Sequence, residues 1–539
     1  MTDMTMNSMP ASPHASSPKP NLDQNSSMLT IVLFIGLLAG GLLYTAYSIY
    51  SDVSEAGVRT TSYLPYLLLA VALLIALAFE FVNGFHDTAN AVATVIYTHA
   101  LPPNVAVIWS GFFNFLGVAT STGAVAFGIV TLLPVELILQ VGSDAGFAMV
   151  FALLIAAIVW NLGTWWLGLP ASSSHTMIGS IIGVGVANAL LRGRDGTSGV
   201  DWGQASNIGY ALLLSPIFGF CLAAILYLVI KYLVKTPALY SEPKGNEPPP
   251  WWIRGILIFT CTGVSFFHGS NDGQKGMGLI MLILIGTVPT AYALNRAMPE
   301  SQVAHFGQVS ADAISALGSA SKGSAATDPR AALTEYVRTK TVIDTTVPSL
   351  AKVSDDIAKQ VASYGSLNKV PATVVQNVRN DMYLASETVR LMLKNNNPAF
   401  DDATKAKLKA LGGSYDASTK FIPTWVKIAV AIALGLGTMV GWKRIVRTVG
   451  EKIGKTHLTY AQGASAELVA MATIGAADGL GLPVSTTHVL SSGVAGTMTA
   501  SSAGLQLSTL RNIALAWVLT LPAAMLLSAT LFYIFRMIF

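Results

Sequence analysis

The chain has 539 residues, of which 52% are hydrophobic and only 11% charged. A soluble domain carries about 25% charge, so a water-soluble globular protein is excluded and an all-α polytopic membrane protein is expected. The net charge of +4 is spread along the chain, with no basic stripe for nucleic acid. The two cysteines, Cys221 and Cys261, lie in apolar segments and read as buried free thiols rather than a disulfide framework.

Residues 1–27 are rich in Ser, Pro, Met and Asn and read as a disordered tail, without the basic start and cleavage site of a signal peptide. A membrane span needs about 20 apolar residues. The candidates are 28–50, 64–101, 104–133, 145–168, 205–234, 251–294, 421–441, 464–482 and 508–538. Residues 28–63 make an extra N-terminal transmembrane helix and loop. The runs 64–101 and 251–294 are too long for one straight helix and are interrupted by polar clusters. Two shorter segments, 169–190 and 482–500, are rich in Ser, Thr and Gly and read as broken or re-entrant helices. Residues 295–420 hold no spanning run; their amphipathic pieces 333–361, 371–396 and 402–412 predict a helical soluble insertion, a spacer or packing domain.

Basic residues set the orientation. The stretch 442-WKRIVRTVGEKIGK-455 and the group Lys231, Lys235 and Lys244 are expected on the cytoplasmic side. The N-terminus is then cytoplasmic, and the loop 51-SDVSEAG-57 and the 295–420 insertion are external.

The chain repeats itself. Phe81, Gly84 and Asp87 match Phe266, Gly269 and Asp272 at an offset of 185. The stretch 168-GLPASSSHTMIGSIIG-183 matches 481-GLPVSTTHVLSSGVAG-496 at an offset of 313. The insertion in the second copy accounts for the difference. Residues 64–250 form the first transmembrane repeat, and 251–294 with 421–539 form the second. The expected orientation makes the two repeats inverted, a common build for secondary transporters with a site near the midplane.

The paired motifs have a physical reading. Pro170 and Pro483 suit the first turn of a helix. Ser172, Ser173 and Ser174, and their counterparts Ser485, Thr486 and Thr487, sit where free N–H groups and the positive end of a helix dipole converge, which is an anion site. Asp87 and Asp272 are intramembrane carboxylates and functional candidates by default. Asp87 shares a helical face with Asn90, a pair of oxygen ligands that suits a hard cation such as sodium. In the second copy Lys275 stands where Asn90 stood, and an ammonium there replaces a sodium ion. That favours coupling to protons, with Asp87, Asp272 or Glu80 as the carrier. An anion beside two carboxylates needs a positive partner, which is the reason to expect a coupled cation. His175 and His488 are symmetric; they either hydrogen-bond a broken-helix backbone or contact substrate and shuttle protons. His86 and His268 flank the aspartates, with Asn271 beside Asp272; a metal site of His and Asp is conceivable, but the spacing does not diagnose one.

The stretches NGFHDTANAVAT, GLPASSSHT, HGSNDGQKG and GLPVSTTHV strongly resemble the inorganic phosphate transporter (Pit) family, its bacterial low-affinity, proton-coupled members in particular. The likeness covers both membrane halves, about 64–294 and 421–538. It implies a non-enzymatic, homodimeric, inverted-repeat symporter that moves phosphate inward. It assigns phosphate binding to Ser172, Ser173, Ser174, Ser485, Thr486 and Thr487, and phosphate or cation coupling to Asp87, Asn90 and Asp272. Sodium-coupled members carry N-D-x-[AS]-N in both copies; here the copies read H-D-T-A-N and N-D-G-Q-K, which speaks against sodium. The resemblance also allows a neutral metal–hydrogenphosphate complex, with an ion such as Mg²⁺, as the transported species. Sodium-coupled phosphate transport and sulfate transport stay open. A passive anion channel and an intramembrane aspartyl protease built on Asp87 and Asp272 are the readings from other classes.

Overall fold

The computed structural model describes every residue except 1–18, 24–26, 57–63, 88, 134, 140–142, 244, 246, 322 and 539, and leaves the side chains of 89, 90, 135, 136, 300, 302 and 303 undescribed. Most of the expected disordered tail, the Asn90 side chain and Lys244 therefore lie outside the described residues. The last part of the tail is not disordered: Leu22 is buried and Lys19 pairs with Glu451 at 2.7 Å.

The described chain is helical. The first half contains α1 (Met28–Glu55), α2 (Leu64–Asp87), α3 (Ala89–Tyr97), α4 (Pro103–Thr120), α5 (Ala124–Val130), α6 (Val135–Leu139), α7 (Asp144–Trp166), α8 (Ser173–Leu191) and α9 (Trp202–Leu233). Next come α10 (Trp251–Thr287) and α11 (Pro289–Tyr292), and then the insertion with α12 (Glu300–Ala320), α13 (Pro329–Thr339), α14 (Thr346–Tyr364), α15 (Val375–Asn395) and α16 (Asp402–Thr419). The chain closes with α17 (Thr424–Thr438), α18 (Lys443–Arg447), α19 (Tyr460–Gly479), α20 (Thr486–Ala500) and α21 (Leu507–Ile538). Among the described residues, six helical stretches are long and apolar enough to cross a membrane, and α4–α5 and α16–α17 form pairs bent by 74° and 70°.

Three expectations need correction. The run 251–294 is not interrupted: α10 passes through its polar cluster as one helix of 37 residues, roughly 55 Å long at 1.5 Å per residue. The cluster is tolerated because its polar side chains find partners inside the protein. Segment 169–190 is not too short to span, since α8 alone meets the length and composition of a crossing helix. Cys221 is exposed on α9, and only Cys261 is buried.

The two ends of the molecule separate cleanly. Arg254 Nε donates to the Ala100 carbonyl at 2.8 Å, so α2–α3 ends where α10 begins and the two run in opposite directions. His457 N–H donates to Glu242 at this same end, which also holds the 442–455 stretch and the Lys19–Glu451 pair. At the other end, Asp52 accepts from Tyr292 and Trp425, and Asp201 pairs with Lys340 of the insertion. The insertion is five helices whose core, including Leu350, Val378 and Leu408, is continuous with Leu132 and Leu137 of the membrane part.

Copies exchange partners across the repeat. Packing places α8 of the first copy on α21 of the second, and α20 of the second on α9 of the first. Gly183 lies so close to the Met525 carbonyl that a Cβ there would come within 2.2 Å, and Gly496 stands in the same relation to Phe220. Small residues at such crossings let helix backbones approach where no hydrophobic drive exists. Both α9 and α21 have 32 residues and carry an internal proline, Pro216 and Pro522.

Candidate functional site

The two Gly-Leu-Pro segments bring helix starts into the centre of the protein. Gly168 and Gly481 both take positive φ, +67° and +66°, which allows the sharp reversal after α7 and α19. Pro170 and Pro483 do not lie in the first helical turn as expected. The helices begin at Ser173 and Thr486, and Ser172 and Ser485 are their N-caps. Each cap oxygen accepts the N–H three residues on, of His175 and of His488, at 3.2 Å. A capping serine needs an extended backbone, and the proline just upstream favours that approach. The starts meet: Ser174 Oγ donates to the Val484 carbonyl at 2.8 Å, and the His175 and His488 rings lie 4.5 Å apart. From this centre α8 leads to the insertion end, where Asp201 follows it, and α20 leads to the opposite end, where Gln506 N–H bonds Ile453. That divergence is the inverted relation of the two copies.

Asp87 lies across both helix starts. Its Oδ2 accepts from Ser173 Oγ at 2.5 Å and from Ser173 N–H at 3.3 Å. Its Oδ1 accepts from Thr487 Oγ1 at 3.0 Å and lies 2.8 Å from His86 Nδ1. The other ring nitrogen of His86 meets Thr164 Oγ1 at 3.1 Å, which fixes the ring. Asp272 belongs to the same cluster. Its Oδ2 lies 2.6 Å from Lys275 Nζ, 3.3 Å from Ser173 Oγ and 3.6 Å from His268 Nε2. Lys275 also donates to Ser174 Oγ at 2.5 Å, so α10 is tied to the first turn of α8. All of these side chains are buried, and Lys275 is completely enclosed.

The hydroxyl of Ser173 faces three acceptor oxygens, of Asp87, Asp272 and Asn83, the last at 2.8 Å. One hydroxyl proton serves one of them at a time. Asp272 Oδ1 and Thr486 Oγ1 are buried and have no hydrogen-bond partner among the described residues. Donor atoms of Asp87, His268 and Asp272 lie within 4.8 Å of one another, close enough to share one cation.

The remaining predicted residues stand further out. Glu80 accepts from Gly276 N–H at 2.7 Å and from Asn83 Nδ2 at 3.3 Å, so it reaches the cluster through Asn83. Asn271 donates to the Leu482 carbonyl and accepts from Val484 N–H, clamping the extended segment before α20. His175 and His488 do not bond the broken-helix backbone through His175 Nδ1 or His488 Nε2, which lack partners among the described residues. Their rings pack on each other, and His488 stacks on Trp517 at 4.1 Å. Sequence reasoning gave no role to Asn83 or Asn114. Asn83 lies one turn before Asp87 in the same polar stretch, a readable i, i+4 signal. Asn114, which bonds His268 Nδ1 at 2.8 Å, stands alone in an apolar run.

Paired helix starts, buried carboxylates and crossed inverted repeats are the build of a membrane transporter. Comparison with known proteins names the kind: the phosphate transporter family matches residues 83–528, and the chain belongs to it. It is 42% identical over 489 residues to the low-affinity inorganic phosphate transporter PitA of Escherichia coli K12, covering 87% of this chain and 96% of that one. It is 30% identical over 475 residues to a probable low-affinity inorganic phosphate transporter of Bacillus subtilis, covering 88% and 99%. A solved structure entitled the sodium-dependent phosphate transporter shares the fold, with a TM-score of 0.50, 20% identity, and coverage of 88% of this chain and 100% of that one.

Proposed function

We propose that this protein is a low-affinity carrier of inorganic phosphate that imports it together with protons, and that Ser173, Ser174, Thr486 and Thr487 bind the anion while Asp87, Asp272 and Lys275 couple its movement to charge. Family membership and the names of its relatives support the phosphate assignment. One observation carries the mechanism: a carboxylate of the chain itself, Asp87, occupies the junction of two helix N-termini. That place suits any small oxyanion with several acceptor oxygens. Phosphate and Asp87 then compete for the same donors. Two like charges about 4 Å apart repel by on the order of 4 kcal/mol at an effective dielectric of 20, so they exclude each other unless a positive charge joins.

A proton on Asp87 removes the repulsion and loosens its hold on Ser173 and Thr487. The crowding of three acceptors around Ser173 Oγ is consistent with a proton residing in this cluster. Lys275 neutralises Asp272 and reaches Ser174, which leaves the second copy without need of a sodium ion. A divalent ion travelling with hydrogenphosphate would use Asp87, His268 and Asp272, and such an ion would be cargo rather than a resident cofactor. The basic 442–455 end is cytoplasmic in this reading and the insertion periplasmic.

The test is labelled phosphate uptake into liposomes of pure protein, sodium-free, with magnesium and an inside-alkaline pH gradient. Accumulation above the external level is the expected result. Uptake that waits for sodium overturns the coupling, and equal uptake of sulfate overturns the substrate. Omitting magnesium separates bare phosphate from the metal complex.

A further inference from the structure

Away from the central site, the extra helix α1 leaves a gap against the transporter body. An apolar cavity of about 360 Å³ lies between α1, α4 and α17, walled by Phe34, Leu37, Phe112, Ile432 and Leu436. A second cavity of about 400 Å³ adjoins it and shares Thr30, Ile108 and Met439 with it. The chemistry of this second cavity is different: Asn104, Trp165, Trp442, Lys443 and Arg444 line it. Arg444 stacks on Trp165 and Trp166, at 5.2 and 4.6 Å, and donates to the Trp166 carbonyl at 2.7 Å. Lys443 is 43% exposed and lies 3.5 Å from Asp23.

An apolar slot opening into a tryptophan-lined, cationic mouth at one end of the membrane part matches the two halves of a phospholipid. Tryptophans mark headgroup depth, and Lys and Arg there attract anionic lipid. The geometry points to a resident anionic phospholipid, with one acyl chain between α1 and the α4–α17 pair and its phosphodiester beside Lys443 and Arg444. A helix of another copy, about 10 Å across, does not fit a slot whose two walls, α1 and α4, both already pack on α17. Asp23 is the one acidic side chain within ion-pair reach of Lys443 among the described residues, and a headgroup phosphate would compete with it. The lipid then fills the space that would otherwise let α1 move against the body.

The test uses full-length protein released from nanodiscs of phosphatidylethanolamine and phosphatidylglycerol and weighed by native mass spectrometry. Each of the two cations is worth a factor of about five toward anionic lipid, so retained phosphatidylglycerol should exceed phosphatidylethanolamine by roughly 25-fold per mole present. Lys443→Gln with Arg444→Gln should bring the two lipids close to parity. Leu37→Trp, on the slot-facing side of α1, should fill the slot and remove bound lipid of both kinds. Phosphate uptake by each variant confirms that it is folded. Equal retention of both lipids by the unaltered protein overturns the proposal. So does preference untouched by the charge variants, lipid displaced by added inorganic phosphate, or a lipid-free protein that appears only as a dimer.

Discussion

At the scale of single residues, the site is a contest for a few hydrogen-bond donors. Asp87 holds the donors of α8 and α20 that an incoming oxyanion needs. Asp87→Asn should therefore abolish pH-driven accumulation while leaving phosphate binding to the detergent-solubilised protein intact. Loss of binding together with uptake would make Asp87 a substrate ligand instead of a coupling group. Lys275 raises a different question, because a buried ion pair costs much desolvation. Removing one member strands the other, typically at 3–5 kcal/mol. Lys275→Met should lower the melting temperature clearly, and adding Asp272→Asn should recover most of the loss. Lys275→Asn, which restores the residue of the first copy, should either stop transport or make it depend on sodium. A variant indistinguishable from the parent would remove the case for lysine as a built-in cation.

Single helices carry the next level of cause. Ser172 and Ser485 cap α8 and α20 in the same way, so Ser172→Ala and Ser485→Ala should each cost about 1 kcal/mol and raise the KM for phosphate. Unchanged KM with lowered stability would confine the caps to a structural role. The paired motifs were legible in the sequence because both copies keep Gly-Leu-Pro, a hydroxyl run and histidine in the same order. Their opposed directions were legible too, through the basic stretch 442–455. What could not be read was the course of α10. Its cluster of Asn271, Asp272, Gln274 and Lys275 looks like a helix break in one dimension. In three dimensions Asp478 of α19, Ser174 of α8 and Leu482 of the extended segment before α20 satisfy those groups, and the helix continues. The proline positions were misread for a related reason: a cap is defined by where a side-chain oxygen finds an N–H, and Pro170 fits inside or just outside a helix equally well. Of the site itself, the hydroxyls, the aspartates and His268 beside them were visible, whereas Asn114 gained meaning only when α4 was seen beside α10.

For the molecule as a whole, the insertion is fastened to the membrane part by charge as well as by its core. Lys340 and Arg390 flank Asp201 at 2.7 and 3.5 Å. Burial pushes the Asp201 carboxyl up, but Lys340, the Gln204 N–H and Arg390 outweigh it and hold the group below its ordinary value of 3.8. A carboxylate with a lowered folded-state value adds stability that is present in full above its unfolded value and is lost as pH falls through the folded one. Hydrogen exchange in 329–395 should thus quicken below about pH 4, with less change in Asp201→Asn. A flat profile in the parent would show that the apolar core alone docks the insertion. The crossed packing has another demand on it. Gly183→Ala and Gly496→Ala should each drive two helices apart at about 1–3 kcal/mol, seen as lower melting temperatures. That same crossing sets a timetable for biosynthesis. The first half leaves the ribosome with α8 already made, but most of the surface that holds α8 belongs to α21, which is translated about 300 residues later. Until then the helix that starts at Ser173 waits beside lipid or an insertase. A nascent chain stalled before residue 507 should be a ready target for membrane proteases. Two fragments divided between α9 and α10 should be inert when made separately and should recover transport when made together.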